Sequence, residues 1–343
     1  HLTLNNGAGL LFDTVHENTV LNISGNWINV NSGFTDSTGF RHGKSYVVFT
    51  GTAGQTLSSN SQEEFFKLTI DKAGRWFRPN NSIVVRDECT VNDGEWDIGT
   101  TSNLIHYFDG DLEIAADGIW LDSTARIYFT NDGNWWLKNY SGTPLVVHDF
   151  IIDQPAGHLS SGVMMIGDVR SKNWTWVKNG TLGINGGTLS VDVRLQVNTD
   201  GAVTGPLNSA IRMDDGGAIF LNGGDLTMAG TGALPCLITN QGTGYYSFNV
   251  VNDGMFSAMN TTVENIYDYG IHFYNNGLAD TVSGFQGCTF RDGESPGTLL
   301  RFSNDQVVEF TGVNFPDTPV GGNYNVRKTN DAGDVTFVSA SGV

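Results

Sequence analysis

Asp109-Gly110-Asp111-Leu112-Glu113 sets three carboxylates at alternate positions. In an extended strand, alternate side chains project to one face. A hard cation such as calcium is held by several such oxygens. Asp109, Asp111 and Glu113 are therefore a candidate calcium site, although the later Gly and Glu of an EF-hand loop are missing. The competing reading is a solvated turn entering a strand. No other cofactor is expected. Trp174-Thr175-Trp176 places two indoles on one face of a strand, and Trp135-Trp136 places two on opposite faces. Exposed rings of this kind stack on sugars, whereas buried ones supply core area. Trp135, Trp136, Trp174 and Trp176 are the candidate carbohydrate-binding residues, with full or partial burial the expectation for Trp174 and Trp176.

Other chemistry finds little footing. There is no Gly-x-Ser-x-Gly elbow, and the histidines show no His-Glu-x-x-His spacing. His158-Leu159-Ser160-Ser161 is a neighbourhood without a defined geometry. Cys89, Cys236 and Cys288 lie too far apart in sequence for a zinc knuckle. Their odd number excludes complete internal pairing, so they are expected to be buried small hydrophobes. No glycine-rich loop followed by a helix offers a phosphate cradle.

The elements that must carry these residues are short strands cut by Asn-Gly and Asp-Gly punctuation. Asn92-Asp93-Gly94, Asn131-Asp132-Gly133 and Asn252-Asp253-Gly254 are the clearest marks. Such residues reach positive φ readily and turn the chain sharply. Strand-like runs recur from Asn18–Ser24 to Gln306–Thr311, on the scale of one coil every ~20–30 residues, as in β-solenoids. At most one helical turn is expected, over Gln62–Leu68. No linker-like shift in composition interrupts the chain, so one continuous domain is expected over residues 1–343.

Composition narrows the partners. The net charge of −18 opposes a phosphate backbone, which argues against nucleic acid. No apolar run approaches the ~18 residues of a membrane span, so no membrane insertion is expected. Only 16% of residues are charged, with Asn, Thr, Ser and Gly providing the polarity, a pattern of extracellular β proteins. The chain opens on His1 rather than Met, and the expectation is a processed piece of a larger secreted protein.

Two resemblances add to this reading. Trp27-Ile28-Asn29, Gly33-Phe34, Val47-Val48-Phe49-Thr50-Gly51, Gln55-Thr56-Leu57 and Phe65-Phe66-Lys67-Leu68-Thr69-Ile70 form a block. It resembles one in large secreted right-handed β-helix surface proteins, often adhesin-like, of Bacteroidota-type bacteria. Tyr324-Asn325-Val326 and Gly333-Asp334-Val335-Thr336-Phe337 resemble the end of such domains. These motifs are structural and imply fold and export.

Separately, Asn198-Thr199-Asp200-Gly201 followed by Asp214-Asp215-Gly216 is similar to a motif of the polygalacturonases, also right-handed β-helices. That resemblance implies Asp200, Asp214 and Asp215 as acids that protonate a leaving oxygen and activate water. The family's Gly-His-Gly is absent, with His272 standing in Tyr269-Gly270-Ile271-His272-Phe273. Its Arg-x-Lys is absent too, with only the adjacent Arg327-Lys328 far downstream.

The expectation is thus an all-β, right-handed parallel β-helix (β-solenoid), extracellular or at a cell surface. Its leading role is non-catalytic, structural or adhesive. The partners expected are other copies of itself, in a homo-oligomer or filament, and a cell-surface or matrix polysaccharide. The alternatives are a pectinase-like hydrolase or lyase and a phage tailspike-like receptor-binding protein.

Overall fold

The computed structural model describes residues 1–12, 19–31, 39–97, 103–121, 124–154, 162–185, 187–206, 208–240, 242–280, 285–316 and 324–342, the side chains of 199–201 excepted. Every regular element among them is a strand, and the fold is a right-handed parallel β-solenoid. No helix among the described residues is long and apolar enough to cross a membrane. The chain divides into two compact units, His1–Phe150 and Ile151–Val343.

In His1–Phe150 each strand pairs in parallel with one a coil further on. Tyr46 faces Lys67, 21 residues on, and Trp27 faces Leu57, 30 residues on. Because every strand turns alternate residues inward, parallel register stacks like upon like. Val47, Leu68, Cys89, Leu112 and Leu137 form one interior column across five strands, all fully buried. Cys89 thus serves as a small hydrophobe. All three cysteines are buried and unbridged, as expected. Aromatic rings fill the same interior: Phe49 against Phe77 at 4.5 Å, Phe77 against Trp96 at 5.2 Å, and Trp96 stacked on Trp120 at 5.0 Å.

The quoted block around Trp27 is scaffold where it is described. Trp27, Phe49, Leu57, Phe65, Leu68 and Ile70 have no exposed surface. Gln55 closes a corner by donating from Nε2 to the Ile23 and Gly25 carbonyls at 2.8 and 2.5 Å. Gly33 and Phe34 lie outside the described residues. The helical turn expected over Gln62–Leu68 is instead the start of the long strand Glu63–Pro79. Helix-forming residue types give way there because strands on both sides, Tyr46–Thr50 and Ile83–Trp96, supply the hydrogen bonds.

In Ile151–Val343 the same logic builds two parallel sheets. One interior column runs Leu195, Ile219, Phe248, Ile271 and Leu300. The other sheet stacks Val169, Leu189, Ile211, Ile238, Val263 and Phe290. All eleven residues are buried.

The Asn/Asp-Gly marks are corners for two different reasons. At Gly94 φ is +87°, a conformation that disfavours any side chain. At Gly110 a Cβ would lie 1.6 Å from the Asp87 carbonyl oxygen of the preceding coil, so close approach is what demands glycine there.

Candidate functional site

The interior columns leave the alternate residues on the outer face of the sheet. In Ile151–Val343 one outer column reads Trp176, Gln196, Phe220, Asn249, His272, Arg301 and Arg327, each in register with the next. At the spacing of parallel strands these seven positions extend over about 29 Å. Trp174 and Arg194 stand beside the head of this column, also in register. Aromatic and cationic side chains therefore line one face at coil intervals.

Trp174 and Trp176 are half-buried while Thr175 and Val177 point inward, as strand alternation requires. Their rings meet edge to face at 5.9 Å. The Arg194 guanidinium lies 5.4 Å from the Trp174 ring centre and 4.8 Å from that of Phe220. Lys178 Nζ lies 4.5 Å over Trp176 and also meets Asp153 at 3.0 Å. Cations thus already stand against these indoles. In the other unit Trp136 is exposed, and Trp135 is half-buried with Nε1 donating to the Asn131 carbonyl at 3.0 Å.

The far end of the column is more open. A cavity of about 240 Å³ is lined by Asp268, Tyr269, Gly297, Arg301, Tyr324 and Arg327, among others. The Arg301 guanidinium packs 4.5 Å from the Tyr269 ring centre. Tyr269 and Tyr324 are each more than half exposed. Beside the cavity, Tyr274 packs 4.5 Å from His272, and His272 Nε2 shares a hydrogen bond of 2.9 Å with Ser303 Oγ.

This last contact has the form of a nucleophile and base, but its chemistry is poor. Burial, reinforced by the Arg301 charge, pushes His272 down to about 4. An imidazole so reluctant to take a proton is a weak general base at neutral pH. Ser303 Oγ is also shared with Thr329 Oγ1 at 2.7 Å.

The acids implied by the polygalacturonase resemblance fall elsewhere. Asp214 and Asp215 occupy the corner that leads into Ala218–Asn222. Asp214 Oδ1 accepts from the Asp215 N–H at 3.0 Å, and Asp215 Oδ1 accepts from the Gly244 N–H at 2.8 Å. The Asp200 side chain lies outside the described residues. Its backbone pairs with Asn179, beyond the end of the stretch Arg194–Asn198 that faces Ala218–Asn222. Asp200 and Asp214 therefore flank opposite ends of a strand segment, about 20 Å apart by the rise of an extended chain. An inverting pair of carboxyls stands about 6.5–9.5 Å apart.

The Asp109, Asp111 and Glu113 carboxylates do not share one face. Gly110 bends the chain between the first and the second. Asp109, buried, pairs with Arg86 and accepts from Thr130 Oγ1 at 2.7 Å. Asp111 and Glu113 both face Lys138 Nζ, at 3.6 and 3.3 Å. No group of three potential metal-binding side chains occurs among the described residues.

Sequence reasoning met His272 and Arg327 only as departures from a motif and passed over Asp268, Tyr269, Arg301 and Tyr324 as a set. The signal that links three of them is the coil interval, 29 residues from His272 to Arg301 and 26 from Arg301 to Arg327. Compared with known protein families, curated proteins and solved structures, the chain matches none.

Proposed function

We propose that this protein is a non-catalytic, extracellular or cell-surface β-solenoid that binds a polysaccharide along the outer face of its parallel sheet. The observation that carries this reading is the column from Trp176 to Arg327. Rings and cations recur on it at coil intervals and end in the open cavity beside Tyr269. A regular row of half-exposed aromatic and hydrogen-bonding groups suits a ligand that is itself a repeating chain. The rigid sheet presents that row without ordering a loop on binding. The wide separation of Asp200 from Asp214, the turn-holding bonds of Asp214 and Asp215 and the low basicity of His272 favour binding over turnover. The extracellular setting rests on the scarcity of charge and the Asn/Thr/Ser/Gly-rich composition.

Affinity electrophoresis of the full chain through gels containing individual neutral and acidic polysaccharides tests this. The expected result is retarded migration in at least one gel, with no release of reducing ends or unsaturated sugars. Free migration in every gel defeats the reading. Release of new ends at an enzymatic rate replaces it with the hydrolase or lyase alternative.

A further inference from the structure

The cavity beside Tyr269 has an unusual charge pattern for so acidic a chain. Arg301 and Arg327 are register partners on adjacent strands, so their side chains start about 4.8 Å apart on one face. Like charges placed opposite each other destabilise a sheet. Neither arginine forms an ion pair or hydrogen bond with a described residue, in a protein with 36 acidic against 18 basic side chains. The Arg301 Nε is shielded from solvent and has no hydrogen-bond partner. His272, the preceding neighbour in the column, is held neutral and supplies no counter-charge.

We propose that this cavity binds the carboxylate-bearing ring of an acidic sugar, with Arg301 and Arg327 on the carboxylate. This rests on the polysaccharide-binding reading and names the class of polysaccharide, a uronic-acid polymer. Guanidinium groups recognise carboxylates through paired N–H donors, and two of them side by side offer such donors from two directions. Tyr269 and Tyr324 supply exposed ring surface for the apolar face of a pyranose. Asp268, the remaining charged lining group, accepts from sugar hydroxyls. Its own backbone N–H is bound to Glu294 Oε2 at 3.1 Å.

The mixture of groups sets the selectivity. Two cations and one carboxylate leave the cavity with a single net positive charge. That balance suits a monoanion carrying hydroxyls, whereas Asp268 and Glu294 repel a phosphate dianion. The volume is below the usual ~300–1,000 Å³ of ligand pockets, which fits one sugar residue with the rest of the chain lying along the column. Gly297 keeps the wall open, since a Cβ there would come within 2.3 Å of the Glu294 carbonyl oxygen and 2.7 Å of Asp268 Cα.

Isothermal titration of the full chain with uronic-acid tetrasaccharides, the same tetrasaccharides methyl-esterified, neutral tetrasaccharides and a single-stranded oligonucleotide tests the proposal. The free acids are expected to bind at least about tenfold more tightly than the esters. Arg301→Gln and Arg327→Gln are each expected to lose about tenfold for the acids while leaving the esters and the melting temperature unchanged. Arg301→Lys should recover part of the loss. Equal affinity for acid and ester, or acid binding untouched by both Gln variants, overturns the proposal while leaving the polysaccharide reading in place. Oligonucleotide binding as tight as uronate binding overturns it in favour of a simple anion patch. Absence of binding to every sugar removes both readings.

Discussion

Arg86 in His1–Phe150 and Arg301 in Ile151–Val343 are outer-face arginines on parallel strands, and their surroundings are opposites. Arg86 meets Glu64 from the preceding coil through Nε and Nη2, at 2.8 and 3.0 Å, and Asp109 from the following coil through Nη1. These bonds, Glu64's foremost, raise the guanidinium pKa even further. The same pairing recurs nearby in Lys67 with Asp87 and Glu88, and Arg126 with Asp149. Arg301 has neutral His272 before it, Arg327 after it and the Tyr269 ring alongside. A parallel solenoid makes neighbours of residues one coil apart. Where those residues have opposite charge the face satisfies itself, and where they have like charge it is left to take a partner from outside.

The largest effect expected from breaking this contrast is on stability. Arg86→Ala leaves the Asp109 carboxylate buried without its cation and should cost about 3 kcal/mol in urea unfolding. Arg301→Ala removes a ring contact and no ion pair, and should cost about 1 kcal/mol or less. Equal losses from the two variants would abolish the distinction between a closed and an open face.

Acid titration sharpens the contrast. Glu64 is held down at about 2 by its hydrogen bond from His42 and then by those from Arg86. Its folded pKa lies below the ordinary 4.5, so its contribution is present above that value and is lost as pH falls from 4.5 through 2. Urea unfolding measured across this window should show a shallower decline in Arg86→Ala than in the wild type.

His272 gives the corresponding test on the open face. Its folded pKa is about 4 against 6.5, so the unfolded chain takes the proton first and stability falls as pH drops from 6.5 to 4. Imidazole NMR signals should stay neutral down to about pH 4. In Arg301→Gln the midpoint should rise, but only part of the way, because burial is the larger cause. A midpoint near 6.5 in the wild type would mean that His272 adds a third positive charge to the cavity.

The smallest effect concerns Lys138. Its pairs with Asp111 and Glu113 are partly exposed, so Lys138→Met should change stability by less than about 1 kcal/mol. With those carboxylates engaged by lysine and Asp109 by Arg86, calcium or a chelator should leave the wild-type melting temperature unchanged. A calcium-dependent rise would restore Asp109, Asp111 and Glu113 as ligands.

The all-β parallel solenoid was legible because its determinants are local. Alternation of apolar residues, frequent corners and the apolar block from Trp27 to Ile70 are properties of short stretches. The burial of Cys89 followed from residue type alone. The strand over Glu63–Pro79 was misjudged because its acids and lysine suit a helix in isolation, and only the neighbouring strands override that preference. Asp109 was grouped with Asp111 and Glu113 because alternation was counted through Gly110, where the chain bends.

The sequence alone determined the repeat, the inward and outward alternation and the shortage of positive charge, because each depends on residues within a few positions of one another or on simple totals. Which outward residues meet was decided only by the tertiary structure. Coil lengths range from the 21 residues between Tyr46 and Lys67 to the 30 between Trp27 and Leu57, so no fixed interval in the chain aligns one coil with the next. Register, set by corners and interior packing, placed Arg86 between two carboxylates and Arg301 beside Arg327.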